Sequence, residues 1–272
     1  MELPHDLQCK KETLRSLLER FERVAVAFSA GVDSTFLLAA AYEVLGDRVL
    51  AVTGRTISTP KRDLHDAAAF CESLGVRHRI VDVDQMAING FADNPPDRCY
   101  HCKKELFSLF LKTAEAEGFP ILVEGTNADD APDDRPGMRA LRELHIKSPL
   151  RDAKLTKQDI RMLSHSMGLQ TWNKPSFACL ATRIPFGETI TPQKLARIEQ
   201  AETLLFEKGF RQVRVRSHGN LARIEVETPD LARITEPDLR REIAEKFTAL
   251  GFDYVTLDLN GFRSGSMNKT SQ

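Results

Sequence analysis

The sequence is poor in the features that would place it in several protein classes. Its formal net charge is −1, with 38 Lys and Arg against 39 Asp and Glu, so there is no excess of basic charge. A protein built mainly to grip nucleic acid would carry one, and nucleic acid is not an expected partner. No apolar run approaches the length of a membrane span, and the opening residues Met1 to Asp6 carry no apolar signal core. Five cysteines in 272 residues do not form the disulfide framework of a small secreted domain. A cytoplasmic location is therefore the expectation, with no membrane partner. Internal repeats and low-complexity tracts are absent as well. What is present, 42% hydrophobic and 28% charged residues, is the composition of a globular protein with length for one large or two moderate domains.

Hydrophobic periodicity gives an alternating rhythm. A helix over 7–22 carries Leu14, Leu17, Leu18 and Phe21 at helical spacing. Strands follow over 24–28, 48–53, 79–83 and 121–124, with helices between them. Thr59 reads as the N-cap and Pro60 as the first residue of a helix running to Leu74. Thr156 reads as the cap of a helix running to Met167. This is the pattern of an α/β protein with a mostly parallel, Rossmann-like sheet covered on both faces.

The rhythm changes after Pro185. A helix over 192–208, alternating strands over 211–216 and 221–227 around His218-Gly219-Asn220, a helix over 236–250 and a strand over 254–258 read as a small α+β domain. The expected division is 1–187, 188–263 for substrate binding or oligomer contacts, and a fraying tail over 264–272. A homo-oligomer is the expected assembly.

Ser29-Ala30-Gly31-Val32-Asp33-Ser34 sits between the first strand and its helix. In a strand–loop–helix unit the backbone N–H groups converge at the helix start, where the macrodipole adds partial positive charge. Gly31 lets an anion approach the backbone, and the Ser29 and Ser34 hydroxyls can donate to it. The loop lacks the Lys of Gly-x4-Gly-Lys-Ser/Thr and the spacing of Gly-x-Gly-x-x-Gly. Glu124-Gly-Thr-Asn-Ala-Asp-Asp130 follows the fourth strand at its C-terminal end, the edge where open α/β sheets bind ligands. Asp129 and Asp130 suit Mg²⁺, which takes oxygen ligands and leans on phosphates. A plain Asx-rich turn is the competing reading.

Arg98-Cys99-Tyr-His-Cys102-Lys103 opens a helix with two thiols on one face, and Cys179 lies in Lys174-Pro-Ser-Phe-Ala-Cys-Leu-Ala-Thr-Arg183. A structural zinc, a redox dithiol and an iron–sulfur cluster on Cys99, Cys102 and Cys179 compete for these thiols. Cys71 reads as packing. Arg214 and Arg216 share one face of a strand and suit a phosphate, while Glu225 can bind metal or orient an arginine.

The Ser29–Ser34 loop resembles the Ser-Gly-Gly-x-Asp-Ser loop of the PP-loop ATP pyrophosphatase superfamily, with Ala30 in place of the first Gly. Together with the cysteine motifs, Glu124–Asp130, Asp134-Arg-Pro-Gly-Met138 and Ser148-Pro-Leu150, the set resembles the LarE family of ATP-dependent sulfur transferases. The resemblance implies that ATP and Mg²⁺ are handled by Ser29, Ala30, Gly31, Asp33, Ser34, Thr53, Gly125, Thr126, Asn127 and Asp129. It implies metal ligation by Asp130 and Glu225, phosphate binding by Arg214, and chemistry at Cys179, Arg183 and Asp33. The implied substrate is a pyridinium biscarboxylic acid mononucleotide, whose carboxylates become thiocarboxylates of the nickel-pincer cofactor of lactate racemase-type enzymes. Sulfur would come through a four-iron four-sulfur (4Fe-4S) cluster on the three cysteines, recharged by sulfide or another donor, or from Cys179 itself, leaving dehydroalanine. Another PP-loop synthetase, such as a tRNA thiolase, and a non-catalytic nucleotide-binding module are the rival expectations.

Overall fold

Strand β1 (Val24–Ala27) consists only of Val and Ala, and its first three residues are buried, as an inner strand requires. It pairs in parallel with β2 (Val49–Arg55) on one side and β4 (Ile121–Val123) on the other. β3 (Arg77–Asp82) adds in parallel to β2, giving the order β3-β2-β1-β4. Successive β1 residues face opposite cores. Val24 and Val26 pack with Leu14, Leu18 and Phe36, whereas Ala25 packs with Phe107, Phe110 and Leu122. The first core is covered by α1 (His5–Glu19), α2 (Val32–Leu45), α3 (Lys61–Leu74) and α7 (Lys157–Ser166). The second lies under α4 (Arg98–Ala116) and α5 (Pro136–Glu143). The short α6 (Pro149–Asp152) follows. The computed structural model describes residues 3–130, 136–176 and 178–267. Two residues of the Asp134–Met138 motif, Phe177, and 268–272 of the expected tail lie outside them.

From β1 the chain builds outward through β2 and β3, then returns to place β4 on the other flank of β1. The strand order therefore switches between β1 and β4. A switch point opens a crevice at the carboxyl ends of the two strands, where ligands bind in such sheets. Both motifs of interest, Ser29–Ser34 and Glu124–Asp130, leave the sheet there.

The chain divides into two units, Met1–Ile88 with Asp97–Phe177, and Asn89–Pro96 with Ala178–Gln272. In the second unit, β5 (Val213–His218) pairs antiparallel with β6 (Leu221–Val226), and β7 (Tyr254–Leu257) pairs parallel to β6. Val213, Val215 and Ile224 pack with Leu205 of α8 (Pro192–Glu207), Ile234 of α9 (Leu231–Ile234) and Phe247 of α10 (Pro237–Ala249). The 89–96 segment is tied in by Asn94. Its Nδ2 donates to the carbonyls of Pro185 and Glu188 at 2.6 and 3.1 Å, and its carbonyl accepts from Gly187 N–H.

Some local expectations differ from the structure. Pro60, not Thr59, is the N-cap of α3. The Thr59 hydroxyl instead pairs with Thr56 Oγ1 at 2.8 Å within the preceding turn, which the helix pattern does not encode. Strands β2 and β3 extend past and before their expected limits because their ends are set by mutual pairing, from Leu50–Arg77 to Arg55–Asp82. Thr156 caps α7 as expected, in a reciprocal capping box with Asp159. In the expected tail, Ser266 accepts from Arg216 and donates to Glu225, so that residue is anchored.

Candidate active site

The loop after β1 is shaped by its own short polar side chains. Ser29 N–H donates to Ser34 Oγ at 3.3 Å, and the two hydroxyls lie 3.1 Å apart. Ser34 Oγ also reaches the carbonyl of Gly31, the N-cap of α2, at 3.3 Å. Ala30 takes a left-handed conformation, φ 53°. The first N–H groups of α2 have no intrahelical acceptor, so the loop gathers donors at a dipole end suited to an anion.

The second motif closes against this helix start. A Cβ on Gly125 would stand 3.0 Å from the backbone N of Ser34, a tight contact that glycine avoids as the two segments approach. Asn127 Nδ2 donates to Asp33 Oδ1 at 3.3 Å. Asp129 Oδ2 accepts from Lys157 N–H at 2.7 Å, and Asp130 Oδ2 from Asn127 N–H at 2.9 Å. Both acids are exposed. Thr126 gives its N–H and hydroxyl to Glu124 Oε2, while Ser148 Oγ donates to Oε1 at 2.6 Å. Ser29, Ala30, Gly31, Asp33, Ser34, Gly125, Thr126, Asn127, Asp129 and Asp130 thus form one constellation.

Thr53 is placed differently. Its hydroxyl donates to the Phe28 carbonyl at 2.8 Å, so its lone pair accepts from Nε2–H of His78, also at 2.8 Å. Burial lowers the His78 pKa and favours the neutral ring. Thr53 therefore braces the strand that ends at the loop.

Three residues of this site were not singled out from the sequence. Glu124 is the buried acceptor that organises Thr126 and Ser148. Lys157, just inside the Thr156 cap, pairs with Asp33. Lys174 donates to the Ala30 carbonyl at 3.0 Å. The cap signal at Thr156 located Lys157 on a helix start; only folding brings it to Asp33.

Cys99 and Cys102 lie near the start of α4, in the first unit. Arg98 Nη2 is 3.9 Å from Cys99 Sγ, and Gln85 Nε2 donates to Cys102 Sγ at 3.0 Å. Cys179 is exposed and belongs to the second unit. Among the described residues, no group of three or more His, Cys, Asp and Glu side chains is gathered to hold a metal ion. Burial pushes the Cys71 thiol up to about 12, which leaves it inert packing.

The turn bearing Cys179 is clamped by Arg183, which is fully buried. Arg183 Nη1 donates to the carbonyls of Ala178 and Cys179 at 2.7 and 3.1 Å. Its Nε and Nη2 grip both oxygens of Glu202 at 2.8 and 2.9 Å. Burial acts to raise the Glu202 pKa, but the charge and hydrogen bonds of Arg183, the charge of Arg214 and the Val215 N–H hold it below the ordinary carboxylate range. Arg214 is buried opposite Glu225 in the β5–β6 register and lies over the Phe262 ring. Glu225 accepts from Arg216 at 2.8 Å and from Arg223 at 3.1 Å, so in this structure it orients arginines. Arg216 also reaches the Thr182 carbonyl at 3.0 Å, and its buried Nε has no partner among the described residues.

A parallel sheet with a Ser-rich loop at its switch point, feeding a helix whose first turn meets a Gly-Thr-Asn-x-Asp-Asp segment, defines an α/β protein of the PP-loop class. In agreement, the family model for NAD synthase matches residues 8–103. An uncharacterized protein of Synechocystis is 40% identical over 97% of this chain and 98% of its own length. The pyridinium-3,5-bisthiocarboxylic acid mononucleotide synthase of Lactiplantibacillus plantarum is 38% identical over 97% of this chain and 95% of its own length. An uncharacterized protein of Methanocaldococcus jannaschii is 32% identical over 92% of the chain and 95% of its own. The chain belongs to the LarE family within the PP-loop superfamily. An ATP-dependent enzyme is the class this membership fits. No helix among the described residues is long and apolar enough to cross a membrane.

Proposed function

We propose that the chain is an ATP-dependent sulfur transferase acting on pyridinium-3,5-biscarboxylic acid mononucleotide, in the synthesis of the nickel-pincer nucleotide of lactate racemase-type enzymes. The observation that carries the reading is the loop of Ser29–Ser34 at the switch point, with the 125–130 segment against it. A substrate carboxylate oxygen attacks the α-phosphorus of ATP, and pyrophosphate leaves. Sulfur then attacks the acyl carbon and AMP departs, leaving a thiocarboxylate. Adenylation matters because it turns a carboxylate oxygen into part of a good leaving group. The loop N–H groups and the Ser29 and Ser34 hydroxyls stabilise charge on the departing phosphates. Asp129 and Asp130 suit Mg²⁺, which needs one or two carboxylates plus phosphate oxygens and would neutralise pyrophosphate. Arg214 and Arg216 suit the phosphate of the mononucleotide, and the unpartnered Nε of Arg216 supports an anion there.

For the sulfur, we favour a four-iron four-sulfur cluster on Cys99, Cys102 and Cys179, with a sulfide or other donor recharging it. The first two thiols, three residues apart on one helical turn, match what such a group requires of its ligands. When bound, the cluster supplies an open iron that carries sulfide. The exposure of Cys179 on a clamped turn favours a second reading. In it the Cys179 sulfur attacks the acyl-adenylate, AMP leaves, and loss of the Cα proton with Cβ–S cleavage leaves dehydroalanine and the thiocarboxylate.

Anaerobic purification with iron and sulfide analysis, repeated on Cys99→Ala, separates the two. Iron lost in the variant supports the cluster; loss of one hydrogen sulfide mass from Cys179 after turnover supports sacrifice. ATP–pyrophosphate exchange that depends on the added dicarboxylate is expected in either case, and its absence overturns the transferase reading.

A further inference from the structure

Lys174 has an ammonium group delivered to one backbone atom. Its Nζ donates to the Ala30 carbonyl at 3.0 Å and to Asp66 Oδ2 at 2.8 Å, and lies 3.8 Å from Asp63 Oδ1. Both acids are on α3. Its backbone is held as well, since Lys174 N–H donates to the Thr171 carbonyl at 2.9 Å and the Lys174 carbonyl accepts from Arg161 Nη2 at 3.0 Å. Two carboxylates and a fixed backbone therefore aim this charge at the loop.

The residue it grips is the one with a backbone problem. Ala30 sits at φ 53°, a region where a Cβ meets the carbonyl oxygen and only glycine goes without penalty. A trans peptide is planar, and its C=O and N–H point to opposite sides. No peptide among the described residues is cis. Fixing the Ala30 carbonyl on Lys174 thus fixes the direction of Gly31 N–H, away from Lys174 at the head of α2.

We propose that Lys174 is a positioning residue of the phosphate loop: it holds the Ala30–Gly31 peptide turned so that Gly31 N–H faces the ATP phosphates. This rests on the ATP-dependent reading above. It also accounts for an alanine at a place where the resembled loops carry glycine. A charged donor on the carbonyl supplies the restraint, and two acids on α3 keep the donor in place.

The test uses the full chain with Mg²⁺ and a non-hydrolysable ATP analogue in titration calorimetry, together with KM and kcat for ATP–pyrophosphate exchange. Lys174→Met is expected to weaken analogue binding about tenfold, the scale of one charge-assisted hydrogen bond, and to raise KM for ATP more than it lowers kcat. Adding Ala30→Gly to that variant is expected to recover most of the lost affinity, because glycine adopts the left-handed conformation without being held. An ion pair that served only to fasten α3 would lower the melting temperature and show no such recovery, and that result overturns the proposal. Unchanged analogue affinity in Lys174→Met overturns it too. Should that variant fail to fold, Asp66→Asn, at a half-exposed partner, is expected to weaken binding about twofold in the same direction; no change overturns the proposal. A wild-type chain that binds no analogue removes the ATP reading and this inference together. A wild type that binds while Lys174→Met binds equally well removes only the inference.

Discussion

The loop at Ser29–Ser34 and the turn at Cys179 are held by opposite means. Around the loop, the contacts are made by small groups and backbone: two hydroxyls, a close glycine approach and a lysine on a carbonyl. Its charged residues, Asp33, Asp129 and Lys157, remain partly or fully open to water. Around the turn, Arg183 and Glu202 are almost entirely buried and bind each other through two hydrogen bonds. The difference fits the task proposed for each. On the proposed reading, a loop that binds phosphate keeps N–H groups at the head of α2 for the ligand, while Ser29 N–H is spent on shaping the loop. An exposed thiol needs a rigid base, and a buried bidentate pair supplies one at the risk of a large loss if either partner goes.

That contrast is broken most severely at Glu202. Glu202→Ala leaves the Arg183 guanidinium buried without its counter-charge and is expected to cost about 3–5 kcal/mol in urea unfolding. Hydrogen exchange should place the loss in α8 and β5 and leave α2 protected. The acid limb of stability tests the same pair. A carboxylate whose pKa is depressed by folding stabilises the fold above its unfolded value and loses that contribution as pH falls through the folded one. Wild-type stability should therefore decline below about pH 4, the unfolded value for Glu, and Glu202→Gln should flatten that decline.

Gly125→Ala probes the other region. Its Cβ would meet the Ser34 backbone N at 3.0 Å and the Asp33 carbonyl carbon at 3.3 Å, atoms that cannot swing aside. A cost of about 1–3 kcal/mol is expected, with ATP affinity reduced because α2 must shift. Unaltered affinity would show that the loop tolerates displacement of the 125–130 segment. The smallest effect is expected at Thr156→Ala, about 1 kcal/mol for a lost N-cap, read as a lower urea midpoint. It sharpens the comparison by measuring a purely local element beside Lys157.

The two regions also differ in how far they could be read from sequence. The loop was legible because its signal is contiguous: a β-rich run, small polar residues and a helix start occupy adjacent positions. Thr156 was legible for the same reason, with Asp159 three residues on. Arg183 was singled out, yet its partner Glu202 looks in sequence like one more acid on an amphipathic helix. Nothing local says that this acid is buried. Asn94 is similar; its role in tying 89–96 to residues 185–188 depends on a backbone path closed only in three dimensions.

By itself, the sequence determined the elements whose physics is local: which runs form strands and helices, where α7 is capped, and where a small polar loop joins β1 to the head of α2. The tertiary structure alone decided the switch point between β1 and β4, the close approach of Gly125 to Ser34, the grip of Lys174 on Ala30 and the pairing of Arg183 with Glu202. Those features join residues separated by 19 to 144 positions. Their energies depend on burial and on the orientation of partners, and neither exists before the chain has packed.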